Sequence, residues 1–130
     1  MKAFLQEIQT FSEIKGDLSV IDFSNYLNFP IKRIYYLYNF AGQVRGNHSH
    51  SNLHQCFIAI NGTVEVKVTH AQIKKTFLLN TKSKALIIPP NHWLSLTTKD
   101  TDAICLVLAS EEYKKTHYIN DYENFKKADY

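Results

Sequence analysis

Glycine, proline and cysteine are scarce: four, three and two residues among 130. Two thiols cannot make a disulfide framework. Cys56 and Cys105 lie in the apolar runs CFIAI and AICLVLA, so both are expected as core thiols. No linker, internal repeat or low-complexity segment interrupts the chain, and residues 1–130 read as one domain. Long hydrophobic runs are missing too. The start, MKAFLQEIQTF, has no apolar signal region and no stretch approaches membrane-spanning length, so a soluble cytoplasmic protein without a membrane partner is expected. Charge of one sign is in small excess, a net +3 spread over pairs such as Lys32-Arg33, Lys74-Lys75 and Lys126-Lys127. No run is long enough for a nucleic-acid arm. The balance suits a small anionic ligand such as a phosphorylated metabolite; a solvated lysine-rich surface is the simpler account of charge alone.

What is present is aromatic and β-branched. Eight tyrosines and eight phenylalanines favour strands and line pockets for flat or sugar-like ligands. Short strands are expected in KGDLSVIDF, IKRIYYLYNF, QCFIAI, TVEVKVTH, KKTFLLN, KALIIPP, WLSLTT and AICLVLAS. TVEVKVTH alternates strictly, with Val64, Val66 and Val68 on one face and Glu65 and Lys67 on the other. Asn61-Gly62 after QCFIAI predicts a tight hairpin. The end, EEYKKTHYINDYENFKKAD, suggests a helix or an extended tail. The fold class is all-β, a sandwich or barrel with a short C-terminal appendage.

Three of the six histidines fall within GQVRGNHSHSNLHQ, residues 42–55. Residues two apart on a strand share a face, so His48 and His50 aim into one space. Inside a closed barrel that space is where a small ligand sits. The spacing Gly42, His48, His50, Gln55, Gly62 resembles the first signature motif of the cupin superfamily, a double-stranded β-helix or jelly roll. In metal-dependent cupins that motif supplies His, His and Glu, and a second motif supplies another His. Here Gln55 stands at the Glu position and Leu94 aligns with the second-motif His. An amide is a poor ligand beside imidazole and carboxylate, so no metal is expected. His54 and His92 offer replacement ligands; a loop or rim position is the plainer reading of each. Two inward imidazoles without a metal point to proton transfer.

The blocks FPIKRIYYLYN, RGNHSHSNLHQCFIAINGTVEV, IIPPNHW, AICLVLASEEY and YINDYENF, in this order over roughly residues 10 to 127, resemble the sugar 3,4-ketoisomerases (WxcM-like). The resemblance implies a jelly-roll cupin that acts on dTDP-4-keto-6-deoxy-D-glucose. It moves the carbonyl from C4 to C3 on the way to 3-amino-3,6-dideoxy sugars of surface glycans such as the lipopolysaccharide O-antigen. It implies no metal or organic cofactor, and a homodimer that exchanges N-terminal strands. The matching active-site positions are His48, His50 and Tyr35, with Arg45 ahead of the histidine pair. His48 is taken as the carbon base and His50 as its partner at the oxygens, with exchanged roles left open. Tyr35 would orient a histidine or hydrogen-bond an oxygen. Arg45 carries a fork suited to phosphate, for the diphosphate or for bracing the histidine loop. Arg33 shares strand parity with Tyr35, and substrate contact or an ion pair is open for it. Lys15 and Leu94 depart from the family pattern at positions bordering the sugar pocket, and the product's C4 configuration turns on them. Trp93 reads as a packing residue at the barrel mouth rather than a nucleotide stacker. The rival readings are a metal-dependent cupin such as a dioxygenase, a non-catalytic dTDP-sugar-binding module, and a 3,5-epimerase of related fold.

Overall fold

A computed structural model describes residues 2–22, 27–114 and 118–128. Phe23 at the end of KGDLSVIDF, and 115–117 and 129 of the C-terminal stretch, lie outside the described residues. The elements run β1 (Phe4–Glu7), β2 (Gln9–Glu13), β3 (Gly16–Val20), β4 (Arg33–Tyr38), β5 (Arg45–His50), β6 (Gln55–Asn61), β7 (Val64–His70), β8 (Ile73–Leu79), β9 (Lys84–Ile88), β10 (Trp93–Thr97), β11 (Ile104–Ala109), β12 (Tyr118–Ile119) and α1 (Tyr122–Lys127).

Period-two patterning decides which face each strand buries. On β7 the three valines are buried and Lys67 between them is exposed. On β4 Arg33, Tyr35 and Leu37 turn inward and Ile34, Tyr36 and Tyr38 outward. Strands β6, β9 and β11 read instead as unbroken apolar runs because both of their faces are covered. One side meets the central core around Phe57, Leu86, Leu94, Leu96 and Val107. The other meets Ile8, Leu27 and Phe29. A fully buried Val or Leu contributes roughly 1.5–3 kcal/mol. The four ion pairs among the described residues join exposed side chains and are worth about 0–1 kcal/mol each, so apolar burial holds this fold.

Two antiparallel five-stranded sheets result, β1-β9-β6-β11-β4 and β12-β5-β10-β7-β8, facing each other as a cupin jelly roll. The N-terminal residues, which carried no strand expectation before KGDLSVIDF, form β1 and β2. Strand β1 pairs with β9 of the same chain, and β2–β3 make a separate hairpin whose side chains are mostly exposed. The C-terminal appendage is both extended and helical: β12 pairs with β5, then Asp121 caps α1 by accepting from the Glu123 and Asn124 amides. Cys56 and Cys105 are free and buried, and burial pushes each thiol up to about 12.

The hairpin expected at Asn61-Gly62 is not one. Strands β6 and β7 belong to different sheets, so the turn is a corner between them. Gly62 is left-handed there, and a Cβ on it would lie 3.0 Å from Ala103 Cα. Asp100 Oδ2 accepts the Thr63 amide at 2.7 Å and the Asp102 carbonyl accepts from Asn61, pinning the corner to the loop before β11. The two-residue hairpin lies one strand later. Ala71 (φ 51°) and Gln72 (φ 64°) join β7 to β8, without the residues that usually announce such a turn.

Candidate active site

The histidine pair lies at the end of β5, and a β-bulge aims it. Leu94 pairs with His48, Ser95 with Gly46 and Leu96 with Arg45, so Asn47 is the extra residue. Gly46 (φ 86°) and Asn47 (φ 56°) both take the left-handed conformation that the bulge needs. A Cβ on Gly46 would stand 3.0 Å from the Leu94 carbonyl oxygen, which is why glycine is required. Beyond the bulge, His48 and His50 share the inner face, their ring centroids 6.0 Å apart. The bulge also brings Arg45, by its pairing with Leu96, onto the face of His48 despite the odd spacing. Its side chain is exposed, and its charge lowers the His48 pKa.

Three strands from the two sheets meet at His50. Its Nε2 lies 2.8 Å from Gln55 Oε1 on β6. The Gln55 amide nitrogen donates at 2.8 Å to the Tyr35 hydroxyl on β4. His50 and Gln55 are fully buried. Gln55 pairs across the ladder with Ala109, whose small side chain leaves room for the amide. Burial is the main reason that His50 titrates at about 4; the nearby His48 and Arg33 add to the depression and the Gln55 hydrogen bond opposes it. Burial also lowers His48, with Arg33 and Arg45 assisting. Both rings are therefore neutral bases near pH 7. Tyr35 is pushed well above its ordinary range, first by burial, so its hydroxyl keeps its proton. The Nδ1 atoms of His48 and His50 are buried with no hydrogen-bond partner among the described residues.

Tyr118 and Arg33 cover this cluster. The Tyr118 ring meets His48 edge-on at 5.0 Å and His50 at 5.7 Å. Arg33 donates to the Tyr118 hydroxyl at 3.0 Å, and its guanidinium stacks over the rings of Tyr35 and Tyr113 at 5.2 and 5.6 Å. The ion pair weighed for Arg33 is thus replaced by aromatic contacts and one hydroxyl. Tyr118 and Tyr113 were not anticipated as site residues. YINDYENF was visible as a block, but only the pairing of Tyr118 with His50 shows what its tyrosine touches.

Other expected residues lie elsewhere. Lys15 is at the exposed turn of the β2–β3 hairpin, which pairs with no other strand among the described residues. Leu94 is buried in the central core beside His48. Trp93 is a packing residue, its ring set against Tyr122 and Phe125 of α1. His54 is a loop residue stacked on Phe29. His92 also lies in a loop, between β9 and β10, but it is buried there, stacked 4.0 Å from His70, and accepts the Ala3 amide through Nε2. Among the described residues, no three His, Cys, Asp or Glu side chains group as a metal site would need.

An antiparallel jelly roll holding a paired-histidine motif on β5 defines a cupin. The chain belongs to the WxcM-like, C-terminal family (FdtA), whose model matches residues 1–129. It is 33% identical, over 114 residues covering 87% of this chain and 82% of the relative, to the TDP-4-oxo-6-deoxy-alpha-D-glucose-3,4-oxoisomerase of Aneurinibacillus thermoaerophilus. It is similar to the sugar 3,4-ketoisomerase QdtA of Thermoanaerobacterium thermosaccharolyticum, solved in complex with TDP: TM-score 0.93, 32% identity, covering 98% of this chain and 93% of that one. WlaRA, the TDP-fucose-3,4-ketoisomerase of Campylobacter jejuni, superposes with TM-score 0.92 and 31% identity, covering 100% and 97%.

Proposed function

We propose that this protein is a dTDP-4-keto-6-deoxy-hexose 3,4-ketoisomerase, an isomerase working by histidine acid–base chemistry. The observation that carries the reading is the pair of neutral, inward imidazoles on β5 beside the protonated hydroxyl of Tyr35. The C3 hydrogen lies α to the C4 ketone. His48 takes it as a proton, and the electron pair flows onto O4 to give an enediolate. His50 accepts the O3 proton and delivers it to O4, returning to its neutral form. His48 then returns its proton to C4, leaving the carbonyl at C3. Tyr35 donates a hydrogen bond to the oxygen as charge develops on it. Arg33 and Arg45 supply positive charge for the diphosphate; Arg33 also holds Tyr118 against the two histidines. No metal or organic cofactor takes part in this scheme.

Residues 1–130 act as one cupin domain in this reading, in the cytoplasm, where nucleotide-activated sugars are made. Among the described residues no helix is long and apolar enough to cross a membrane. The working form is a homodimer. Its support is the exposed apolar face of Ile34, Tyr36 and Tyr38 on the edge strand β4, and the hairpin carrying exposed Phe11, Ile14 and Leu18. In this reading the exchanged N-terminal segment is this hairpin, with Lys15 at its turn serving the partner's sugar pocket; the pairing of β1 with β9 of its own chain supports the hairpin over β1.

The test incubates the protein with dTDP-4-keto-6-deoxyglucose, made in place by a dehydratase, and traps the product with a 3-aminotransferase. A 3-amino sugar formed only in the presence of this protein supports the reading. With a trap shown competent by another ketoisomerase, no product would overturn it. The 3-amino sugar would enter surface-glycan synthesis.

A further inference from the structure

Gln55 occupies the position where metal-dependent relatives of the fold carry a carboxylate, and its geometry gives it work that a carboxylate cannot do. A side-chain amide accepts at one end and donates at the other; a carboxylate only accepts. Here Oε1 faces His50 Nε2 and Nε2 faces the Tyr35 oxygen, both at 2.8 Å. Since Oε1 has no proton to give, the proton of that contact is on His50 Nε2, and the lone pair of His50 is on Nδ1. That nitrogen is buried with no hydrogen-bond partner on another of the described residues. At the other end, the Tyr35 oxygen already accepts from Gln55, so the Tyr35 proton is free to donate elsewhere.

We propose that Gln55 is the positioning residue of the isomerisation: its buried amide fixes His50 in the Nε2–H tautomer, with Nδ1 as the proton acceptor, and turns the Tyr35 hydroxyl into a donor toward the sugar oxygen. The inference rests on the ketoisomerase reading and deepens it. A carboxylate at position 55 would undo both effects. Tyr35 would spend its proton on the carboxylate, and the new negative charge would favour the imidazolium form of His50. Among the described residues the other groups facing His50 are His48 on β5, Arg33 on β4 and Tyr118 on β12, and none of them is a carboxylate. Among the described residues, the side chain that hydrogen-bonds His50 to the opposite sheet is thus neutral and two-ended.

Two measurements test this, one independent of turnover. In full-length protein with ¹⁵N-labelled histidine, NMR at pH 7 should show the His50 proton on Nε2. A proton on Nδ1 would overturn the proposal whether or not the protein isomerises any sugar. In the trapping assay, run in EDTA so that metal recruited by a new carboxylate plays no part, wild-type turnover is measured first. Its absence would sink the reaction assignment, while the NMR result still decides the tautomer. Gln55→Glu, nearly isosteric with the native side chain, should lower kcat by about tenfold to a hundredfold with KM changed by less than about threefold. It should also move the acid limb of the kcat profile up by about one pH unit or more. Tyr35→Phe should cost much less in the Gln55→Glu background than in wild type, because its proton is already engaged there. Wild-type kcat and pH profile in Gln55→Glu, or full additivity with Tyr35→Phe, would refute the relay.

Discussion

At the residue scale the two histidines differ in how firmly they are held. His50 is fully buried and tied to Gln55, whereas His48 is half-buried and its described ring contacts are with His50 and Tyr118. The freer ring suits travel of a proton between adjacent carbons, and the fixed ring suits exchange at oxygens in one plane. His48→Asn should therefore lower turnover in the trapping assay by about 10²-fold or more while dTDP affinity stays within a few-fold. Equal loss of binding, read by calorimetry, would mean that the ring holds the ligand instead. Tyr35→Phe removes one donor to a developing oxyanion and should cost about 10²–10³ in kcat at nearly constant KM, with the Gln55 amide left without its acceptor. Part of this cluster was legible from spacing: the period-two pair of His48 and His50 and the parity of Arg33 with Tyr35 are both met, whereas Tyr35 and Arg45 entered through the family resemblance. Gln55 was legible only as a lost ligand. A hydrogen bond between sheets depends on which side chains face each other across the barrel, and no local spacing encodes that. Tyr118 was hidden for the same reason, being 68 residues beyond its ladder partner His50.

At the scale of elements, alternation located most strands and misjudged the turns. The valines of β7 and the inward and outward sides of β4 follow from period two. Asn61-Gly62 misled because a left-handed glycine serves a corner between sheets as well as a hairpin, and the partner of each strand is settled by tertiary packing. The hairpin at Ala71-Gln72 went unseen because its residues pay the left-handed penalty without glycine or asparagine to relieve it. That penalty is removable. Ala71→Asn with Gln72→Gly should raise stability by roughly 1 kcal/mol, seen as a higher urea midpoint at unchanged m-value. A lower midpoint would mean that the turn's backbone is not the left-handed pair described. The opposite change at the bulge should be harmful. Gly46→Ala forces a Cβ to 3.0 Å from the Leu94 carbonyl oxygen at φ 86°, so it should destabilise the fold by about 1–2 kcal/mol. It should also reduce turnover further than that loss explains, because the bulge sets the direction of both histidines.

For the molecule as a whole, two buried neutral histidines at separate places tie stability to pH. His50 links the sheets through Gln55. His92 holds the N-terminal segment: its Nδ1–H donates to the Pro90 carbonyl, so Nε2 is the acceptor for the Ala3 amide. Protonating His92 would put a proton where that amide already points. Burial is the largest cause of depression for each, and both titrate at about 4 in the folded chain, against about 6.5 for an unperturbed histidine. Above pH 6.5 both states hold these rings neutral, and the full stability is present. As pH falls from 6.5 towards 4, the unfolded chain takes up protons that the folded chain refuses, so stability drops. The limiting slope is about 1.4 kcal/mol per pH unit for each ring. Urea unfolding between pH 7 and 5, above the main carboxylate range, should show the midpoint falling as pH falls. His92→Gln should flatten the pH dependence by the share of one ring, even if the variant is less stable at pH 7. A midpoint constant from pH 7 to 5 would show that neither ring is held neutral by its surroundings, and with it would go the neutral-base state that the proton transfers at His50 require.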